Sequence, residues 1–315
     1  MRILLTGSHS HLAQALLPKL CAHPAVSKVI GIDIRHTAFH HEKLETHTLD
    51  VRDPTALKKL HGCDALIHLA FVVLRGRTDA RTMHAVNVTA SSAWFGAAAE
   101  AGVKRLIHLS SASVYGSGET LTETAPLAPL PNFFYAQHKA KLENWLEQHH
   151  PQAVRLRSHV ILGPHAQPLL RWLVRQPFTI KLPEPQPLLQ CVHEEDVAEA
   201  VMLALFNQQA AGAYNLAAED TFSFRVLVRR RYKMAVALPM PVAQVSLYGA
   251  LKLFGVGGEQ AWLAGIGNSL TLDCSRAQRE LGWKPEFSAW AAIDATIPGS
   301  GSAPAHSTPT DKLRA

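Results

Sequence analysis

Apolar residues recur in two alternating rhythms through the first half of the chain, and that alternation restricts the fold more than any other feature. Short runs read as strands at Arg2 to Leu5, Lys28 to Ile32, Thr46 to Leu49, Ala65 to Leu69, Arg105 to Leu109 and Ala153 to Leu156. Between them lie stripes of helical period: Leu12, Leu16, Leu17 and Leu20; an alanine-rich stretch from Thr82 to Ala101; and Phe134 to His149, with Leu142, Trp145 and Leu146 inward. Strand and helix in strict turn predict an α/β fold, a Rossmann-like doubly wound parallel sheet wrapped by helices. Pro18 falls inside the first helix and is expected to bend it.

Past Gly163-Pro164 the rhythm changes. Prolines at 164, 168, 177, 183, 185 and 187 cut the chain into short pieces, which predicts a first domain over 1–163 followed by a smaller lobe over 164–297. The segments around 190–217, a helix at Glu194 to Phe206 and a strand at Ala213 to Leu216, are expected to return to the first domain. Phe224 to Tyr232 reads as helix. Pro241 to Phe254 is apolar on a broad face and is read as lobe core, with a subunit contact in a homodimer or a lid as alternatives. The Gly, Ser, Pro and Thr-rich segment 298–315 is expected to be disordered.

With 315 residues, 47% of them hydrophobic, the chain can bury a full core. The net charge of +6 comes from scattered basic residues, apart from Arg229-Arg230-Arg231 and Arg75, Arg77 and Arg81, so no basic stripe suggests nucleic acid as a partner. Four cysteines at 21, 63, 191 and 274 have neither disulfide-framework nor metal-ligand spacing. The 18 histidines are spread along the chain without the i, i+4 pairing of a helical site, so no metal is expected. The apolar run before Thr6-Gly7 is too short for a signal peptide, and no stretch approaches the ~20 residues of a membrane span. The expectation is a cytoplasmic protein with a small-molecule substrate.

The turn after the first strand reads TGSHSHLA, residues 6–13. A diphosphate bound at a strand-to-helix turn needs backbone N–H groups aimed at it and little bulk in the way. Gly7 supplies the tight turn. Ser10 and Ala13 keep the three-residue spacing of a glycine loop but add a β-carbon each; Ser10 is the more serious change, partly offset by hydrogen bonding from Ser10 and His11. Asp33 ends the second strand roughly two dozen residues after Gly7, near the ~20-residue offset at which a carboxylate meets the adenosine ribose. It favours NAD, because a carboxylate repels a 2′-phosphate, while Arg35 keeps NADP open. Asp50, in LDVRD, suits an adenine amino group or a helix cap.

In YAQHK, Tyr135 and Lys139 share a helix face, so the ammonium is expected to lower the phenol's pKa from its usual ~10 toward neutrality and let it pass protons. This pair follows LSSASVYG, whose Ser110 and Ser111 emerge at the carboxyl end of the fifth strand, where open α/β sheets place ligands.

In this order, with HLA at 68–70, NVT at 87–89, LRSHVILGP at 156–164, VHEEDVA at 192–198, YNLA at 214–217 and ELGWKP at 280–285, the chain resembles the extended short-chain dehydrogenases/reductases of the NAD-dependent epimerase/dehydratase family. The resemblance implies hydride transfer at a carbonyl/hydroxyl carbon, with Tyr135 as acid/base, Lys139 holding the nicotinamide ribose and Ser111 bonding the substrate oxygen. It implies a cofactor site of Gly7, Ser10, His11, Leu12, Asp33, Arg35, Asp50, Val51, Leu69, Ala70 and Asn87, together with Tyr135 and Lys139. Ala112 and Ser113 stand where the dehydratases carry an acidic pair and the decarboxylases a glutamate at the second place, which weighs against elimination and decarboxylation. Val160 and Leu189 stand where sugar-nucleotide epimerases commonly carry diphosphate-binding asparagine and arginine, with Arg155, Arg171, Arg175 or Arg229 left to serve from another direction. An NAD(P)-dependent oxidoreductase is therefore the leading expectation. A nucleotide-sugar epimerase and a non-catalytic nucleotide-binding member are the alternatives.

Overall fold

Strand β1 (Arg2–Thr6) sends Ile3 and Leu5 into one apolar cluster and Leu4 into another, the two-residue alternation of a strand buried on both faces. It is an interior strand of a seven-stranded sheet. The others are β2 (Lys28–Asp33), β3 (Leu44–Thr48), β4 (Ala65–His68), β5 (Arg105–Leu109), β6 (Val154–Ser158) and β7 (Gly212–Leu216), in the order β3-β2-β1-β4-β5-β6-β7 with every pairing parallel. This is the doubly wound Rossmann-like sheet expected from the alternation. In this computed structural model residues 1–73, 78–175, 178–181, 187–223, 226–227, 234–237, 242, 249 and 267–297 are described.

Helices cover both faces. α1 (His11–Ala22) and α6 (Glu194–Phe206) pack on one side, where Leu12, Leu16, Leu17 and Leu20 meet Val197 and Val201. α3 (Ser91–Glu100) and α4 (Phe134–His149) cover the other through Trp94, Phe95, Leu142 and Leu146. α1 runs to Ala22 with Pro18 inside it. The long helix expected from Thr82 begins earlier, as α2 (Ala80–His84), and carries a π-helical turn at Ala85–Ala90 before α3, with the Ser91 hydroxyl donating to the Val86 carbonyl five residues back at 3.2 Å.

Strand boundaries shift by a residue or two from expectation: β3 starts at Leu44 and ends at Thr48, and β6 extends to Ser158. A smaller apolar cluster joins Leu162, Ala166, Cys191 and Phe222 to Ala289, Ala292 and Ile293 of α7 (Ala289–Ala295), with α5 (Pro168–Arg175) alongside. The segments expected at Phe224 to Tyr232 and Pro241 to Phe254 lie largely outside the described residues. Arg75, Arg77, Arg229, Arg230, Arg231 and the whole of 298–315 lie entirely outside them. Among the described residues no helix is long and apolar enough to cross a membrane, and no His, Cys, Asp and Glu group could hold a metal.

Candidate functional site at the carboxyl end of the sheet

Strand order reverses between β1 and β4, and there an open α/β sheet leaves a crevice beyond its carboxyl ends. Gly7 turns the chain out of β1 with φ +73°, and a β-carbon on it would lie 2.7 Å from the Ala70 nitrogen. Only glycine fits, so Leu69 and Ala70 wall the turn closely. Ser10 keeps an ordinary extended backbone, φ −65° and ψ 160°, and needs no left-handed conformation. Its hydroxyl caps α1, accepting the Ala13 N–H at 3.3 Å. The N–H groups of His11 and Leu12, the first two of the helix, have no carbonyl one turn back and suit an anion. His11 stands in a positive field: burial first, then Arg35, Arg171, His9 and His165, hold its pKa below the ordinary value.

Asp33, at the end of β2, accepts the backbone N–H groups of His9 and Arg35, each at 3.0 Å, which locks its carboxylate beside the turn. Arg35 is exposed and its Nε stands 4.0 Å from the same carboxylate. Asp50 is held by the Arg52 guanidinium, with Nη2 at 2.6 Å, and the hydrogen bond lowers its pKa. The cap of the 3₁₀ helix after Pro54 is Asp53, not Asp50. The Val51 carbonyl accepts the Trp94 indole N–H at 2.9 Å. Asn87 is fully buried in the π turn, where its amide accepts the Val72 N–H at 2.7 Å and donates to the Val72 carbonyl at 2.9 Å. It thus clamps the chain just after β4.

Ser111, Tyr135 and Lys139 come together at the end of β5. Ser111 and Tyr135 are hydrogen-bonded through their side chains, and the Ser111 oxygen also accepts the Ser113 hydroxyl at 2.9 Å. The Lys139 ammonium donates to the Leu109 carbonyl, lies 3.6 Å from the centroid of the Phe71 ring and 5.8 Å from that of Tyr135. The expected effect of the lysine on the tyrosine is overturned. Burial pushes the Tyr135 phenol up to about 12, opposed only by the Ser111 hydrogen bond. Lys139 is itself buried, which drives its pKa well below the ordinary lysine value.

Behind the trio lies a fully partnered polar network that the sequence did not suggest. Glu143, one further turn along the Tyr135–Lys139 face of α4, accepts the Ser110 hydroxyl and both Nε and Nη2 of Arg157, the latter at 2.7 Å. Arg157 also donates to the Tyr115 hydroxyl at 2.7 Å, and Tyr115 to Asn215 Oδ1 at 2.8 Å. The i, i+4, i+8 spacing of Tyr135, Lys139 and Glu143 was the one signal that could have revealed it. Phe71 and the exposed Ile34 after Asp33 carried no such signal.

Residues 3–217 match the model of the NAD dependent epimerase/dehydratase family. A ketoreductase of Stigmatella aurantiaca, acting on a 4-hydroxy-2-methyl-3-oxo-4-farnesyl-3,4-dihydroquinoline-1-oxide, is 25% identical over 94% of this chain and 95% of its own. Among solved structures, MoeE5 in complex with UDP-glucose and NAD has a TM-score of 0.74 at 19% identity, covering 94% of this chain and 97% of its own. The UDP-glucose 4-epimerase of Thermotoga maritima with UDP-glucose has a TM-score of 0.73 at 19% identity, with the same coverage. The sheet order, the glycine turn against Ala70 and the Ser111–Tyr135–Lys139 grouping agree with that match: the chain belongs to the NAD dependent epimerase/dehydratase family.

Proposed function

We propose that this protein is an NAD-dependent oxidoreductase that interconverts a ketone and an alcohol, working as a carbonyl reductase. The carrying observation is the grouping of Ser111, Tyr135 and Lys139 at the carboxyl end of β5, across the crevice from the Gly7 turn. The N–H groups of His11 and Leu12 would hold the cofactor's diphosphate, Asp33 the adenosine ribose, and Lys139 the nicotinamide ribose. Ile34, exposed beside Asp33, offers an apolar face to a base. The cofactor supplies or takes the hydride.

Tyr135 keeps its proton at neutral pH, because burial raises its pKa to about 12. A protonated phenol is the acid a carbonyl oxygen needs as it becomes an alkoxide, and Ser111 orients that oxygen beside it. The same phenol takes the proton back when the alcohol is oxidised, so Tyr135 serves the ketone–alcohol pair in either direction. The ketoreductase relative supports the reductive use of that pair. Val160 and Leu189, neither of them able to bond a diphosphate, favour a substrate of more apolar character over a nucleotide sugar.

The test is turnover of a panel of cyclic and aromatic ketones with NADH, run beside UDP-glucose, for the wild type and Tyr135→Phe. Ketone-dependent NADH oxidation that falls about 10²- to 10⁴-fold in the variant supports the reading. Epimerised sugar without ketone turnover, or a variant as active as wild type, would sink it.

A further inference from the structure

We propose that Phe71 occludes the nicotinamide half of the site: its ring sits on Lys139 where a ribose would bind, and cofactor binding turns it aside. This rests on the assignment of Lys139 as the ribose-holding residue. Phe71 follows Ala70, whose backbone walls the Gly7 turn, so it stands between the diphosphate end of the crevice and α4. Its ring is 3.6 Å from the Lys139 ammonium, meets the Tyr135 ring edge-on at 5.6 Å and leans on His108 at 6.2 Å.

Lys139 is only 2% exposed. One of its three N–H donors goes to the Leu109 carbonyl, and no carboxylate of a described residue makes an ion pair with it. With the Leu109 carbonyl and the nearby Glu143 charge, the electron-rich ring compensates for its burial. Two ribose oxygens and a phenyl ring cannot share that place. The backbone cannot retreat, since Asn87 clamps Val72 through two hydrogen bonds. The side chain, half-buried, is what moves. Any population with the ring on the lysine is unavailable to the dinucleotide and weakens its apparent affinity in proportion.

The experiment is calorimetric titration of the full chain, as wild type, Phe71→Ala and Phe71→Leu, with NADH and with ADP, which has no second ribose. Removing the ring is expected to tighten NADH about 3- to 30-fold in Phe71→Ala, with a smaller gain in Phe71→Leu and ADP unchanged. A purely structural role would move both ligands together, and that result overturns the proposal. So does an unchanged or weaker NADH affinity in Phe71→Ala, or in Phe71→Leu should the alanine variant not fold. A wild type that binds ADP but shows no gain from the nicotinamide ribose would instead remove the assignment of Lys139 and this proposal with it.

Discussion

Arg157 and Glu143 are joined by three charge-assisted hydrogen bonds, with Nε at 2.9 and 3.1 Å and Nη2 at 2.7 Å, and both side chains are buried. The pair ties β6 to α4, and the Ser110 hydroxyl donates to the same carboxylate, so the serine next to Ser111 is bolted to the helix that carries Tyr135 and Lys139. Removing one partner leaves the other charge uncompensated in the interior. Glu143→Leu alone is expected to cost about 3–5 kcal/mol, and the Glu143→Leu/Arg157→Leu double variant much less than the sum of the two single changes. Urea unfolding of the four proteins checks this; additive losses would show that the two charges do not stabilise one another.

Ser10 has two separable roles in this fold. Its hydroxyl caps α1, so Ser10→Ala is expected to lower stability by about 0.5–2 kcal/mol. Its backbone already holds a conformation open to any residue, so restoring the customary glycine brings little to the cofactor. Ser10→Gly should leave the NADH dissociation constant within about threefold, which is roughly RT and no more. A tenfold tightening would mean that the hydroxymethyl group obstructs the diphosphate.

Asp33 repels a 2′-phosphate, and its carboxylate is held in place by two backbone N–H groups. Asp33→Ala should weaken NADH by about tenfold and strengthen NADPH relative to it, with Arg35 left free to meet the phosphate. Fluorescence titration with both coenzymes measures the ratio. Stronger binding of NADPH than NADH by the wild type would contradict the role given to Asp33.

Five buried histidines, His68, His108, His138, His159 and His193, weaken the fold toward acid, and burial drives His108 well below its ordinary value. Burial lowers His68 to about 3 and His138, His159 and His193 to about 4, from an ordinary value of 6.5. Their unfolded forms take up protons first, so stability is whole above pH 6.5 and falls as the pH drops toward the folded values. Each contributes about 1.4 kcal/mol per pH unit in that window. Asp196 runs the other way: burial raises it to about 6, so its share is whole below 3.8 and is lost as pH rises through 6, offsetting roughly one histidine on acidification. Thermal unfolding at pH 7 and pH 5 should show a clear drop in Tm at pH 5. A flat profile would mean that these rings are hydrated in solution.

The alternation of strand and helix was legible because it is local. Side chains two apart share a strand face and those three or four apart share a helix face, so Ile3, Leu4 and Leu5 declared a strand buried on both sides, and Tyr135 and Lys139 declared a common face. Spacing also placed Gly7, Asp33 and Ser111 at strand ends, hence on one edge of a parallel sheet. What those groups do to one another depends on water and on partners far away in the chain, which no short window contains. Burial reversed the expected shift of Tyr135, because excluding water from a phenol costs its charged form more than the Ser111 hydrogen bond returns. In the same way Phe71 came to rest on Lys139, and Glu143 on Arg157 and Ser110, through chain separations of 14 to 68 residues that only packing around the sheet could bridge.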